Sequence, residues 1–152
     1  MMDDLRDLYQ EVILDHGKNP RNFRHPDDCN RQAEGDNPLC GDQLIVYLKL
    51  DADGTVADVA FEGRGCAISM ASASMMTEMV QGHSEADARS LFDKFHKLVT
   101  GHEDDIDGDV DDLDKLIALS GVREFPMRVK CATLAWHTMT AAMDGEQSVT
   151  TE

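Results

Sequence analysis

The chain has 152 residues, a length that suits one domain with a buried core, and only 5% of them are aromatic. Its 30 acidic and 14 basic side chains give a formal net charge of −16, which disfavours nucleic acids and anionic membranes as partners. No apolar run approaches the length of a membrane span and the start lacks a secretory signal pattern, so we expect a cytoplasmic protein.

The first predicted element is an amphipathic helix over residues 4–16. Its apolar residues recur at helical spacing, and acidic residues at its start can cap the first turn. Gly17, Pro20 and Pro26 oppose continuation of the helix, so an irregular connection is predicted to follow it. Three basic residues within 18–24 form a local positive patch in this otherwise acidic chain.

A β-hairpin is predicted next. Apolar and polar residues alternate over 43–50, the sequence DADG at 51–54 is typical of a turn, and a second strand is predicted over 55–62. The sequence GRGC interrupts that strand, and the small residues and methionines after it predict a helix over 67–80. Cys66 is thereby placed at the N-terminus of a helix.

The remaining sequence predicts three more helices, over 84–99, 113–119 and 127–143. Residues 144–152 are polar and are predicted to form a fraying, flexible tail, which leaves residues 1–143 as a single domain. A helix, then strands, then further helices favour an α+β fold in which a small antiparallel β-sheet packs against about five helices.

The four cysteines are too sparse for a disulfide-stapled domain, and in a reducing compartment they are better interpreted as metal ligands or reactive thiols. Cys40, Cys66 and Cys131 stand beside structural breaks or on the last helix, and Asp42 follows Cys40 by two residues. Three sulfurs and one carboxylate oxygen suit a tetrahedral Zn²⁺ site. The cysteines are 26 and 65 residues apart and form no CxxC pair, so spacing alone leaves buried, inert thiols as an alternative.

The residues around these cysteines favour the metal hypothesis. Gly41 and Gly65 allow backbone conformations that can turn neighbouring side chains toward one point. The dipole of the predicted helix would favour the thiolate of Cys66. Arg128 precedes Cys131 by three residues and so lies on the same helical face, where its charge can also support a thiolate.

Other candidate sites have weaker support. Cys29 lies in the irregular connection outside these motifs, and we interpret it as a spectator thiol. The segment 103–114 resembles a Ca²⁺ loop, but Glu103 and Asp114 replace the usual first Asp and bidentate Glu, which favours a solvated acidic loop. The histidines lack HExxH spacing, and no GxSxG motif or phosphate-binding glycine loop occurs, so hydrolases and nucleotide enzymes are not indicated.

Four stretches of the sequence, DHGKNPRN, NPLCGD, FEGRGCAISMASASMM and FPMRVKCATLAW, closely resemble the iron-sulfur cluster assembly proteins of the IscU/SufU (NifU N-terminal-like) family, and specifically its SufU branch. The resemblance runs from Leu8 to about Met143. It implies an α+β fold with a metal site at one end. It also implies that four residues occupy the family's zinc-ligand positions: Cys40, Asp42, Cys66 and Cys131.

The resemblance further implies a function in sulfur transfer. A SufU-like protein accepts persulfide sulfur from a SufS-like cysteine desulfurase, activates that enzyme rather than acting independently, and passes sulfur toward downstream iron-sulfur assembly proteins. The acceptor position maps onto Cys40, and Arg128 is interpreted as a partner contact or a support for the thiolates.

Two features favour the sulfur relay over the scaffold branch. Lys130 stands where scaffold-type relatives have a histidine, and the stretch before the last motif cysteine is long, as in SufU. A scaffold that assembles a 2Fe-2S cluster on the same cysteines remains the alternative function, and a purely structural zinc module is a more distant one.

Overall fold

A computed structural model describes residues 2–102 and 110–150, with the side chains of residues 10–102 and 116–150. The described part of the chain forms an α+β fold with five helices and a four-stranded sheet. The helices are α1 (Met2–Lys18), α2 (Ala67–Val80), α3 (Glu85–Val99), a 3-10 helix (Val110–Glu124) and α4 (Pro126–Met143). The strands are β1 (Arg31–Asn37), β2 (Asp42–Leu50), β3 (Val56–Arg64) and β4 (Ser148–Thr150).

The helices follow the local signals of the sequence. The side chain of Ser84 accepts a hydrogen bond from the backbone N–H of Asp87 and so caps α3. Pro126 occupies the start of α4, where a missing N–H has no consequence. The helix predicted over 113–119 is confirmed as part of the longer 3-10 helix, whereas the side chains of the acidic segment 103–114 lie outside the described residues.

The sheet has the strand order β3-β2-β1-β4, and the predicted β2–β3 hairpin is confirmed. β1, which the sequence analysis did not predict, pairs antiparallel with β2. The sequence of β1, RQAEGDN, contains a single aliphatic residue, Ala33, and therefore lacks a visible alternation of apolar and polar residues. The strand is defined instead by its pairing and by the contact of its inner face with α4.

The C-terminal segment contains a fourth strand that was not predicted from the sequence. Residues Ser148–Thr150 form β4, which pairs in parallel with Glu34–Asp36 of β1 and makes the sheet mixed rather than purely antiparallel. Three residues with one half-buried side chain, Val149, are too few to give a strand pattern. The edge of β1 supplies the hydrogen-bonding groups that order this segment.

The core lies between the inner face of the sheet and helices α2 and α4. Trp136 of α4 is fully buried, and its indole N–H donates to Ser72 of α2 at 3.1 Å. The small residues of α2 permit close contact with α1 on one side and α4 on the other. Gly35 lets β1 approach α4, because a Cβ atom at this position would lie 1.9 Å from Thr138 Oγ1.

In the part of the chain that the structure describes, no helix combines the length and the apolar character that crossing a membrane requires.

Candidate metal centre

The β1–β2 turn, the start of α2 and the start of α4 meet at one end of the molecule, which we call the metal end. The turn is built on Asn37, whose carbonyl oxygen accepts hydrogen bonds from the N–H groups of Cys40 at 3.2 Å and Gly41 at 2.9 Å. Gly41 has a φ of +76°, a conformation that glycine adopts readily. The turn therefore directs Cys40 and Asp42 to the same region.

Three of the predicted ligands form one cluster. Sγ of Cys40, a carboxylate oxygen of Asp42 and Sγ of Cys131 all lie within 4.8 Å of one another. The two sulfur atoms are 3.1 Å apart, well beyond the roughly 2.05 Å of a disulfide bond, so both cysteines are free thiols. Asp42 and Cys131 are buried, whereas Cys40 is partly exposed.

Asp42 uses its two carboxylate oxygens differently. Oδ1 accepts a hydrogen bond of 2.9 Å from the backbone N–H of Cys66 and thereby ties β2 to the start of α2. Gly65 makes this approach possible, since a Cβ atom there would lie 2.7 Å from Oδ1. Oδ2 is buried and has no hydrogen-bond partner among the described residues. A buried carboxylate oxygen without a partner is energetically unfavourable unless a cation binds it.

The thiol of Cys131 also lies in an unusual environment. Burial raises its pKa far above the ordinary value, and the neighbouring Cys40 and Asp42 side chains raise it further. The side-chain amide of Asn37 donates to its sulfur at 3.8 Å. A divalent cation would offset the cost of placing a thiolate and a carboxylate together in this buried position. The donor set and the unpartnered Asp42 oxygen therefore fit a metal ion.

Cys66 and Arg128 lie beside the cluster. Cys66 is the residue before the first turn of α2, as the sequence predicts, but its sulfur is not part of the three-residue cluster. The charges of Cys66 and Cys131 raise the pKa of Arg128, so the guanidinium group lies against both thiols. The structure thus joins three of the four predicted ligands and places the fourth next to them.

Three further residues bear on the site: Lys130 and Cys29, which the sequence analysis discussed, and Asn37. Lys130 is half-buried beside Cys131 on α4. Cys29 is half-buried near Tyr47 and is absent from the metal cluster in the described residues. Asn37 was not predicted as a site residue, although an Asn-Pro pair before a cysteine is a sequence signal for a turn.

The fold and the site define a small α+β protein with a cluster of cysteine and aspartate side chains at one end that could hold a metal ion. A family model described as the NifU-like N terminal domain matches residues 8–132. The chain belongs to this family, and the relationship inferred from its four sequence motifs is confirmed.

Named relatives of both functional types share most of the chain. The "Zinc-dependent sulfurtransferase SufU" of Bacillus subtilis (strain 168) is 44% identical over 140 residues, which cover 92% of this chain and 92% of the relative. The "Iron-sulfur cluster assembly scaffold protein IscU" of Streptococcus pyogenes serotype M1 is 39% identical over 139 residues, or 91% of this chain and 84% of the relative.

Solved structures share the fold. A crystal structure of a proposed iron-sulfur cluster assembly scaffold protein for the SUF system from Fervidobacterium islandicum AW-1 superposes with a TM-score of 0.79 at 32% identity. The match covers 88% of this chain and 94% of that structure. The arrangement of the sheet and helices is therefore shared with that structure.

Proposed function

We propose that this protein is a zinc-dependent sulfur-transfer protein that accepts persulfide sulfur from a cysteine desulfurase for iron-sulfur cluster assembly in the cytoplasm. The observation that carries the proposal is the convergence of Cys40, Asp42 and Cys131, with one buried carboxylate oxygen that has no hydrogen-bond partner in the part of the chain that the structure describes. A relative named as a zinc-dependent sulfurtransferase, which aligns over 92% of the chain, supports it.

Four residues would hold the zinc ion: Cys40, Asp42, Cys66 and Cys131. When bound, zinc keeps its cysteine ligands deprotonated at neutral pH and protects them from oxidation. The chain contributes the positions of the ligands. The hydrogen bond from Cys66 N–H to Asp42 Oδ1 fixes the carboxylate, and the Asn37 turn holds Cys40 against Cys131.

Cys40 is the residue best placed to accept sulfur. It lies on a turn between the exposed residues Leu39 and Gly41, whereas Cys131 is fully buried and inaccessible to a second protein. Its thiolate would attack the outer sulfur of the desulfurase persulfide. A new S–S bond forms at Cys40, the S–S bond of the donor breaks, and the donor cysteine leaves as a thiolate. The transfer requires no external oxidant or reductant.

A scaffold for a 2Fe-2S cluster is the second candidate, because the same cysteines would serve it and a relative 39% identical is named as such a scaffold. Lys130 favours the relay, since scaffold-type relatives carry a histidine before the last cysteine. In either function the sulfur or the assembled cluster is passed to downstream iron-sulfur assembly proteins.

The test is to incubate the purified protein with cysteine desulfurase and cysteine, and to locate added sulfur by non-reducing peptide mass spectrometry. We expect one added sulfur on the peptide that contains Cys40, and a higher turnover of cysteine by the enzyme. Cys40→Ser should abolish both effects, whereas Cys29→Ser should change neither. Sulfur accumulating on Cys131, followed by a stable coloured cluster after iron is added, would establish the scaffold function instead.

A further inference from the structure

Three large apolar side chains are exposed around the site cysteines, and we call them the apolar patch. Leu39, which is 57% exposed, directly precedes Cys40. Phe125 and Met127, at 59% and 51% exposed, lie at the start of α4, the helix that carries Cys131. They are three of the five large hydrophobic side chains that the described residues expose. Such a cluster beside a reactive site indicates contact with another protein.

Three exposed basic side chains lie at the same end, and we call them the basic ring. Arg64 is the last residue of β3 and stands two residues before Cys66. Arg128 lies against Cys66 and Cys131. Lys18 ends α1 beside the start of α2, where a Cβ atom on its neighbour Gly17 would lie 3.5 Å from the carbonyl oxygen of Ala67.

The members of the basic ring differ from five other basic side chains in lacking an acidic partner among the described residues. Among the described residues, five other basic side chains form salt bridges with Asp or Glu, namely Arg21, Arg24, Lys49, Arg89 and Lys97. Among the described residues, no salt bridge joins Lys18, Arg64 or Arg128 to a carboxylate. Arg31 and the half-buried Lys130 also lack such a partner among the described residues, so the basic ring is distinguished by three exposed bases at the metal end of a chain with 30 acidic residues.

Charge balance at the metal centre explains only part of the ring. Arg128 lies beside Cys66 and Cys131, where its charge could compensate thiolates formed on metal binding. Arg64 instead donates from Nη2 to Gln43 Oε1 at 3.1 Å, which leaves its positive charge exposed to solvent. Lys18 belongs to a different helix and, among the described residues, makes no hydrogen bond or salt bridge with a ligand residue. The exposed charge of these two residues is therefore available to a partner.

We propose that the apolar patch and the basic ring form one docking surface for an acidic face of the cysteine desulfurase. This inference rests on the proposed function and specifies the chemistry of the partner's surface. An apolar centre surrounded by charges is the usual arrangement of a protein interface. Because the whole chain repels an acidic partner, the basic ring would also determine which end of the molecule approaches it.

The decisive variant is Arg64→Glu, compared with Arg31→Glu as a matched control. Both arginines are exposed at strand ends, and Arg31 begins β1, about 20 Å from the turn at the other end of that strand. Calorimetry with the purified desulfurase that the wild-type protein stimulates measures the affinity. We expect Arg64→Glu to raise Kd about tenfold and Arg31→Glu to leave it within about twofold.

A graded series separates charge from shape. Arg64→Lys should retain most of the affinity, Arg64→Gln should lose part of it, and Arg64→Glu should lose the most, with normal zinc content and circular dichroism in all three. Equal affinities across the series would overturn the docking inference while leaving the proposed function intact. Loss of zinc in Arg64→Glu would overturn it as well, by assigning Arg64 to the metal centre.

Two further outcomes would overturn the docking inference. If the wild-type protein neither binds nor stimulates the desulfurase, the proposed function fails and the docking inference fails with it. If light scattering shows that the wild-type protein self-associates, and Arg64→Glu abolishes this without changing the desulfurase affinity, the surface serves a second copy of the chain and the inference is wrong.

Discussion

Two groups of buried polar side chains, one between α1 and α2 and one at the metal end, differ in how their hydrogen-bonding groups are satisfied. Between α1 and α2, His16 Nδ1 lies 2.7 Å from Ser74 Oγ, and this hydroxyl also accepts a hydrogen bond from Arg21 N–H at 2.8 Å. The amide of Asn22 donates to Thr77 Oγ1 at 2.9 Å. The chain itself supplies partners here, and the helices are joined to the connection that follows α1.

At the metal end the chain leaves its polar groups incomplete. Asp42 Oδ2 is buried without a hydrogen-bond partner among the described residues, and the pKa of the buried Cys131 thiol is raised. From this difference we expect the α1–α2 group to stabilise the fold without a bound ion and the metal end to require a cation. The following predictions test that distinction.

The largest effect is expected from Cys66→Ser and Cys131→Ser. Either change should release zinc and lower the free energy of unfolding by about 3 kcal/mol or more, because metal binding is coupled to folding. Elemental analysis and thermal unfolding with and without a chelator measure both quantities. Cys29→Ser serves as the control and should retain zinc and stability. Full zinc occupancy in both site variants would contradict the ligand assignment.

A smaller effect is expected from Ser74→Ala. The change leaves the backbone N–H of Arg21 and the ring of His16 without their shared hydroxyl partner, which should cost about 1–3 kcal/mol of unfolding free energy. Urea denaturation measures the loss, and zinc content should be unchanged. Ser90→Ala, the same change at an exposed position on α3, should be nearly neutral. A loss of zinc in Ser74→Ala would show that the two groups are coupled.

Arg128→Ala should affect the metal end without changing its metal content. Arg128 lies beside Cys66 and Cys131 and is exposed to solvent, so its removal is expected to give a few-fold weaker stimulation of the desulfurase with normal zinc content. Steady-state turnover of cysteine is the measurement, with Arg31→Ala as the control. Unchanged stimulation would remove Arg128 from the site.

The smallest effect is confined to alkaline pH. Burial and the hydrogen bond from Tyr47 to Glu62 raise the pKa of Tyr47 to about 12. Since this folded-state value exceeds the roughly 10 of an unfolded tyrosine, the contribution to stability is complete below pH 10 and is lost as pH rises toward 12. Phenolate absorbance should reveal this ionisation, and Tyr47→Phe should remove it. Ionisation of both tyrosines near pH 10 would contradict the prediction.

The hairpin illustrates what could be predicted about the fold. The alternation in β2 directs Leu44, Val46 and Leu48 to the core, so the pattern of the strand is visible without its neighbours. In β1, by contrast, Ala33, Gly35 and Asn37 face inward. These small or polar residues suit close contact with α4, and this requirement is not visible in the strand itself.

The site shows the same division. Cys40, Asp42, Cys66 and Cys131 could be selected from their residue types and motifs, because few side chains bind zinc. The different uses of the two Asp42 oxygens, and the part that Asn37 plays in the turn, depend on which backbone groups lie nearby. The basic ring likewise joins residues from α1, β3 and α4 that no sequence pattern connects.

The sequence by itself therefore determined the main helices, the β2–β3 hairpin, the family and the candidate ligands. These features depend on local periodicity, capping and residue chemistry, which can be recognised from residues close together in the sequence. Only the tertiary structure decided that β1 and β4 are strands and that, among the described residues, one oxygen of Asp42 has no hydrogen-bond partner and three bases without salt bridges lie at the metal end. Each of these depends on strand pairing, burial and the distances between remote segments, because those contacts determine which groups lose water and which gain partners.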